Sequence, residues 1–159
     1  MNKKTLFLTQ AAAIAALYVV LTFLANTLGL ANGLIQIRIS EALTILPYFT
    51  PAAIPGLFIG CLLSNIFTGC AIPDIIFGSL ATLIAALFTW KLRNHKWLAA
   101  VPPIAANTII VPIVLLYAYG VGPIWLSFLT VAAGEIISCG VLGMLLLFTL
   151  QKYKNKIFI

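Results

Sequence analysis

The chain has 159 residues, 63% of them apolar and 8% charged, with a net charge of +6 and a mean hydropathy of +1.16. Soluble domains carry roughly 25% charge, so nine basic and three acidic side chains exclude a soluble globular protein. The apolar content excludes a disordered chain as well. What remains is an all-α integral membrane protein, a single domain over residues 1–159. The basic residues sit at the chain ends and in one short loop, with no stripe of interleaved aromatics, which argues against a nucleic-acid partner.

The first charge-free run lies between Lys4 and Arg38. Its opening part, 5–25, is long enough to cross a core of about 30 Å. A cleaved signal peptide would have a shorter apolar stretch, so a retained first helix is expected. Residues 26–39 are punctuated by Asn26, Gly29, Asn32 and Gly33 and then alternate from Leu34 to Ile39. That pattern fits a short strand or hairpin folded back on the protein, or the frayed start of the next helix. Pro47, Pro51 and Pro55 divide the next apolar run. They leave a short second helix over 40–49 and a third over 53–68. A fourth helix is expected over 73–90, with Pro73 in its first turn. Lys91, Arg93, Asn94, His95 and Lys96 form a polar loop. A fifth helix over 97–117 contains Pro102, Pro103 and Pro112, a turn follows at 119–123, and a sixth helix covers 124–150.

Six spanning helices place both termini on one side. Lys3, Lys4, Lys91, Arg93, Lys96, Lys152, Lys154 and Lys156 then share that side, and Arg38 is the exception among the nine basic residues. The positive-inside rule makes that side cytoplasmic. Trp90, Trp97, Tyr119 and Trp125 fall near the expected interfaces.

Topology does not explain the acids. Glu41 and Asp74 lie at the outer ends of the second and fourth helices. Glu135 lies about ten residues beyond Trp125, roughly 15 Å into the bilayer at 1.5 Å per residue. A carboxylate at that depth faces the bundle interior with a partner, as an interhelical hydrogen bond, as a ligand-binding group, or as an ion or proton site. Asn107 has similar depth on the fifth helix, so the two are placed to meet. Arg38 and Glu41 are spaced to pair with each other or to reach a ligand. Asp74 either caps its helix or binds. Asn65, Gln36, Tyr117 and Trp125 share the outer half, which suggests an outward-facing pocket closed from below by apolar packing.

Small residues form the other pattern. Ala11 with Ala15, Ala12 with Ala16, and Gly56 with Gly60 are small-x-x-x-small pairs that let helix backbones approach closely. Internal packing accounts for the glycine pair. The alanine face serves either packing or docking of a separate membrane subunit. Cys61, Cys70 and Cys139 lack metal-ligand spacing and read as packing residues. No Walker motif, H-E-x-x-H or G-x-S-x-G is present, so no catalytic residue, metal or resident cofactor is expected.

Several stretches together carry a resemblance. They are Thr9-Gln10-Ala11-Ala12-Ala13-Ile14-Ala15-Ala16-Leu17-Tyr18, Ile37-Arg38-Ile39-Ser40-Glu41-Ala42-Leu43, the run from Pro55 to Asn65, the run from Asp74 to Thr82, and the surroundings of Glu135. The chain resembles the substrate-binding S-components of energy-coupling factor (ECF) importers and, more narrowly, the QueT family of queuosine-precursor transporters. The resemblance implies a six-helix bundle in a bacterial cell membrane. Such a subunit binds a vitamin-like ligand from outside under a first-loop lid and topples to deliver it. A transmembrane coupling subunit and two cytoplasmic ATPases supply the energy, so ATP is used by the partners and not by this chain. Ala11, Ala12, Ala15 and Ala16 would dock the coupling subunit.

The implied ligand is a 7-deazaguanine. Its adjacent N–H and NH2 groups match a carboxylate, with Glu135 the expected partner. Asn107 would meet the carbonyl edge, and Trp125 or Tyr117 would stack on the ring. Glu41 or Asp74 would meet an aminomethyl cation, with Arg38 ordering the lid. Many S-components carry an Asp near the end of the third helix, where this chain has Asn65. The alternatives are an S-component for another vitamin-like ring, a small intramembrane enzyme, and a structural partner subunit.

Overall fold

The computed structural model describes residues 2–31 and 35–157. Asn32, Gly33 and Leu34 of the expected first-loop region lie outside the described residues, as does the side chain of Lys156.

Helix α1 runs over Lys3–Thr27, its first turn capped by the Asn2 side chain, which accepts from the Lys4 N–H. A ten-residue 3-10 helix, α2, covers Ile39–Tyr48. Then come α3 (Ala53–Phe67), α4 (Ile72–Lys91), α5 (Val101–Tyr119) and α6 (Ile124–Gln151). Short turns at Lys96–Leu98 and Lys154–Ile157 complete the described chain. No strand occurs among the described residues.

The fold is therefore all-helical. Four helical stretches are long and apolar enough to cross a membrane: Lys3–Thr27, Ile72–Lys91, Lys96–Tyr119 and Ile124–Gln151. The fifteen residues of α3 are apolar but shorter. Prolines set several boundaries. Pro73 and the Pro102-Pro103 pair sit in first turns, where a missing N–H costs nothing. Gly120 ends α5 in a left-handed conformation (φ +64°), with its N–H and that of Val121 bonded back to Leu116 and Leu115.

Two expectations change in detail. The second helix is 3-10 rather than α. At about 2.0 Å per residue, ten residues reach about 20 Å, where an α-helix would reach about 15 Å. The Thr44 hydroxyl donates to the Glu41 carbonyl at 2.6 Å, and Pro47 lies inside the element. Ser40 through Pro47 are all buried, which places this irregular backbone against protein. The described part of the alternating stretch before it, residues 35–38, forms no strand. Residues 36–38 run extended beside α6, and the loop closes through the Ile37 N–H to Leu30.

Small residues draw the bundle together along two seams. In the α1–α3 seam, a Cβ on Gly56 would lie 2.7 Å from the Ala11 carbonyl oxygen. One on Gly60 would lie 2.7 Å from Tyr18 Cβ and 3.0 Å from the Ala15 carbonyl oxygen. The G-x-x-x-G is thus internal packing, and Ala11 and Ala15 are its other half. Ala12 and Ala16 point away and are exposed.

The second seam joins α2 and the segment before it to α6. There α6 widens into a π-helical stretch, Ile136–Gly143. A Cβ on Gly143 would sit 3.1 Å from Ile45 Cγ2, and one on Gly134 would collide with the Gln36 carbonyl. Ile14, Tyr18, Leu43, Ile45, Leu57, Cys139 and Leu147 belong to the apolar core.

The ends of the bundle differ. At one, Trp97 packs edge-on against Phe148 (5.3 Å), Arg93 stacks on Trp90 (3.6 Å), and Gln10 donates to the Ile157 carbonyl. The polar cavities lie toward the other.

Candidate functional site

The larger cavity, about 370 Å³, lies between the C-terminal half of α1, the C-terminal end of α3, the N-terminal end of α4 and the C-terminal end of α5. Tyr18, Thr22 and Asn26 line one wall, Ser64 and Asn65 another, and Asp74, Tyr119 and Leu115 a third. Gln36 and Arg38 border it from the extended segment. Its volume falls in the range of small-molecule sites, about 300–1,000 Å³.

Asp74 is held in the first turn of α4, where the helix dipole favours an anion. It is buried, its Oδ2 accepts from the Tyr119 hydroxyl at 3.3 Å, and Tyr119 in turn accepts from the Ala71 N–H at 2.9 Å. Asn65 Nδ2 donates to the Asp74 carbonyl at 3.4 Å. Asp74 is therefore a first-turn residue and a cavity residue together.

Arg38 is seated by its backbone, whose N–H donates to Ser138 Oγ at 3.2 Å. Burial opposes its charge, but nearby Asp74 and Glu41 favour it more strongly, and the guanidinium pKa ends above its ordinary value. A second cavity of about 170 Å³ begins on the far side of this residue. Val111, Leu115, Leu126 and Val131 give it apolar walls, and Ser127, Thr130 and Glu135 add polar groups. The two cavities share Gln36, Arg38, Leu115 and Val121 as lining.

Beneath them lies a buried hydrogen-bonded cluster. Glu41 Oε1 accepts from the Tyr18 hydroxyl and Oε2 from Asn107 Nδ2 at 3.3 Å. The Cys139 thiol donates to Glu135 Oε2 at 3.1 Å, and Thr44 lies 3.4 Å from the same sulfur. One ligand-type atom each from Glu41, Glu135 and Cys139 lie within 4.8 Å of one another. These residue types suit a metal, yet each already has a protein partner.

The expected site residues therefore separate into groups. Arg38, Asn65 and Asp74 line the larger cavity, and Glu135 lines the smaller one. Glu41 and Asn107 belong to the buried cluster. Asn107 does sit beside Glu135, as their matched depths suggested, and its amide donates to Glu41. Glu41 takes its hydrogen bonds from Tyr18 and Asn107 rather than from Arg38. Tyr117 is 83% exposed and Trp125 61%, and neither lines either of these two cavities.

Tyr18, Tyr119, Ser138 and Cys139 are among the polar residues of this region that sequence reasoning missed. Tyr18 carried a usable signal, since it continues the face of Ala11 and Ala15 at seven-residue spacing. Cys139 carried none beyond its position four residues after Glu135.

Fold and site define a helical membrane protein with polar cavities at one end of its bundle. The chain belongs to the QueT transporter family, which matches residues 8–152. Over 83 residues it is 38% identical to the queuosine precursor transporter QueT of Lactococcus lactis subsp. cremoris (strain MG1363). That stretch covers 52% of this chain and 48% of the relative, so the match spans about half the relative's length. Both names describe transport rather than catalysis. No solved structure matches.

Proposed function

We propose that this protein is the substrate-binding membrane subunit, or S-component, of an ATP-driven ECF-type importer, and that it captures a 7-deazaguanine precursor of queuosine from outside the cell. Family membership supports transport, and the relative's name supports the substrate class. The observation that carries the site is the larger cavity, with Asp74, Asn65 and Arg38 converging on it.

The bicyclic base lies in that cavity. Its N–H and NH2 donate to the Asp74 carboxylate, a charge-assisted pair. Asn65 and Arg38 serve the carbonyl edge, and Tyr18 or Tyr119 flanks the ring. Asp74 takes the base-reading role first given to Glu135, because Asp74 borders the chamber large enough for the ring. Glu41 and Asn107 hold the floor through the buried cluster.

In this reading α2 and α3 complete a six-span bundle in a bacterial cytoplasmic membrane. The Lys91–Lys96 loop and both termini face the cytoplasm, following the charge rule. A coupling subunit docks on the exposed Ala12–Ala16 face of α1, and two ATPases supply the energy. Ala11 and Ala15 contribute by holding α3 behind that face.

The test is calorimetry on the detergent-purified protein with aminomethyl-deazaguanine, its cyano analogue, queuine and guanine. At least one deazaguanine should bind, and Asp74→Asn should weaken it by about 1.5–3 kcal/mol, the scale of a hydrogen bond to a charged group. Absence of binding for all four would remove the substrate assignment. Unchanged binding in Asp74→Asn would remove the base-reading role. Co-purification with a coupling subunit and two ATPases tests the importer reading separately.

A further inference from the structure

We propose that the smaller chamber is a second subsite, which takes a substituent of the bound ligand with a hydrocarbon body and a hydrogen-bond-donating tip. The inference rests on the substrate class proposed above and adds which member of that class the site fits.

The argument begins with the division between the cavities. They meet at Gln36, Arg38, Leu115 and Val121. The backbone of this divide is fixed to α6, because Gly134 leaves room for the Gln36 carbonyl and Ser138 accepts the Arg38 N–H. The Arg38 side chain lines both chambers, and unlike the backbone of the divide it has rotatable bonds. A ligand that fills the larger chamber therefore has a second space directly beyond Arg38.

That space has its own chemistry. Val111, Leu115, Leu126 and Val131 suit a hydrocarbon body. Glu135, 7% exposed, borders the chamber as an acceptor, and Ser127 and Thr130 add hydroxyls. The Glu135 carboxyl oxygens can accept a hydrogen bond from an amine or hydroxyl tip. An amine or hydroxyl joined to the base through a few carbons meets all of these conditions. A base without a substituent leaves the chamber unused.

Queuine and aminomethyl-deazaguanine are the discriminating probes. They share the base and the aminomethyl nitrogen, and queuine adds a hydroxylated five-membered ring. Calorimetry on the full chain should find queuine bound at least as tightly as the shorter ligand. Thr130→Phe should lower the ratio of queuine to aminomethyl-deazaguanine affinity by about tenfold or more, because the added ring occupies the space the substituent needs. Glu135→Gln should also lower the ratio, by about fivefold or more, because the amide puts a donor NH2 in place of one acceptor oxygen that the ring hydroxyls of queuine would use.

Wild-type protein that rejects queuine while binding the shorter ligand would overturn the subsite alone. So would a Thr130→Phe protein in which both affinities fall by the same factor. Where Thr130→Phe fails to fold, the Glu135→Gln ratio decides, and an unchanged ratio counts against the subsite. If the wild type binds neither ligand, the substrate class falls and the subsite falls with it.

Discussion

The two close seams of the bundle use the same device for different ends. Along α1–α3, Ala11, Ala15, Gly56 and Gly60 bring two backbones together and leave an apolar contact. Along α2–α6, Gly134, Ser138 and Gly143 also bring backbones together, but the space gained holds Glu41, Thr44, Glu135 and Cys139. The first seam sets helix spacing. The second sets the position of the residues that border the cavities. Close approach is thus a means of packing in one place and of holding polar groups in register in the other.

The largest expected effect comes from breaking the first seam. Gly60→Leu drives a side chain into Tyr18 and the Ala15 carbonyl. Overpacking of this kind costs about 1–3 kcal/mol or more, so the thermal midpoint in detergent should drop steeply with a loss of folded yield. Next is the buried cluster. Glu41→Ala leaves the Tyr18 hydroxyl and the Asn107 amide without their acceptor. Each buried donor left unmet costs about 1–3 kcal/mol, and Tyr18→Phe made together with Glu41→Ala should recover part of the lost midpoint.

Gly134→Ala sharpens the contrast between the seams. Its Cβ collides with the Gln36 carbonyl, and the segment bearing Arg38 has to lift off α6. Ligand affinity should fall by about tenfold, roughly 1.4 kcal/mol, while the thermal midpoint moves far less than in Gly60→Leu. Equal losses of stability in the two variants would mean that the second seam is ordinary packing. The smallest effect on the chain itself belongs to Ala12→Leu with Ala16→Leu. Both positions are exposed, so stability should change by no more than about 0.5 kcal/mol, while on the proposed importer reading capture of a coupling subunit is lost.

Much of this arrangement is legible in the chain. Apolar runs set off by charge, by Pro73 or by the Gly-Pro turn at 119–123 locate α1, α4, α5 and α6, and prolines mark the breaks around α2 and α3. The four-residue spacing of Gly56 and Gly60 identifies a close contact because an α-helix repeats at that interval. The second seam hides from the same reasoning. The 3-10 geometry of α2 and the π stretch of α6 abandon the 3.6-residue period, so spacing no longer reports which residues share a face. Helices that are apolar on all sides conceal their inward faces too. Tyr117 and Tyr119 look equivalent in the chain, yet Tyr119 bonds Asp74 and Tyr117 lies exposed. The depth match of Asn107 and Glu135 survives because depth depends on residue count alone. Glu41 as the partner of Asn107 depends on how α2 packs, which no count of residues provides.

The most direct measurement uses a native cysteine. Cys70 is half-buried and borders the larger cavity, whereas Cys61 and Cys139 are buried. Labelling of purified protein by a small maleimide should therefore occur first at Cys70, read by mass spectrometry. If the deazaguanine site is this cavity, saturating aminomethyl-deazaguanine slows that labelling in a dose-dependent way and guanine does so less. Labelling of Cys70 at an undiminished rate, under conditions where calorimetry shows the ligand bound, would place the site elsewhere and contradict the account.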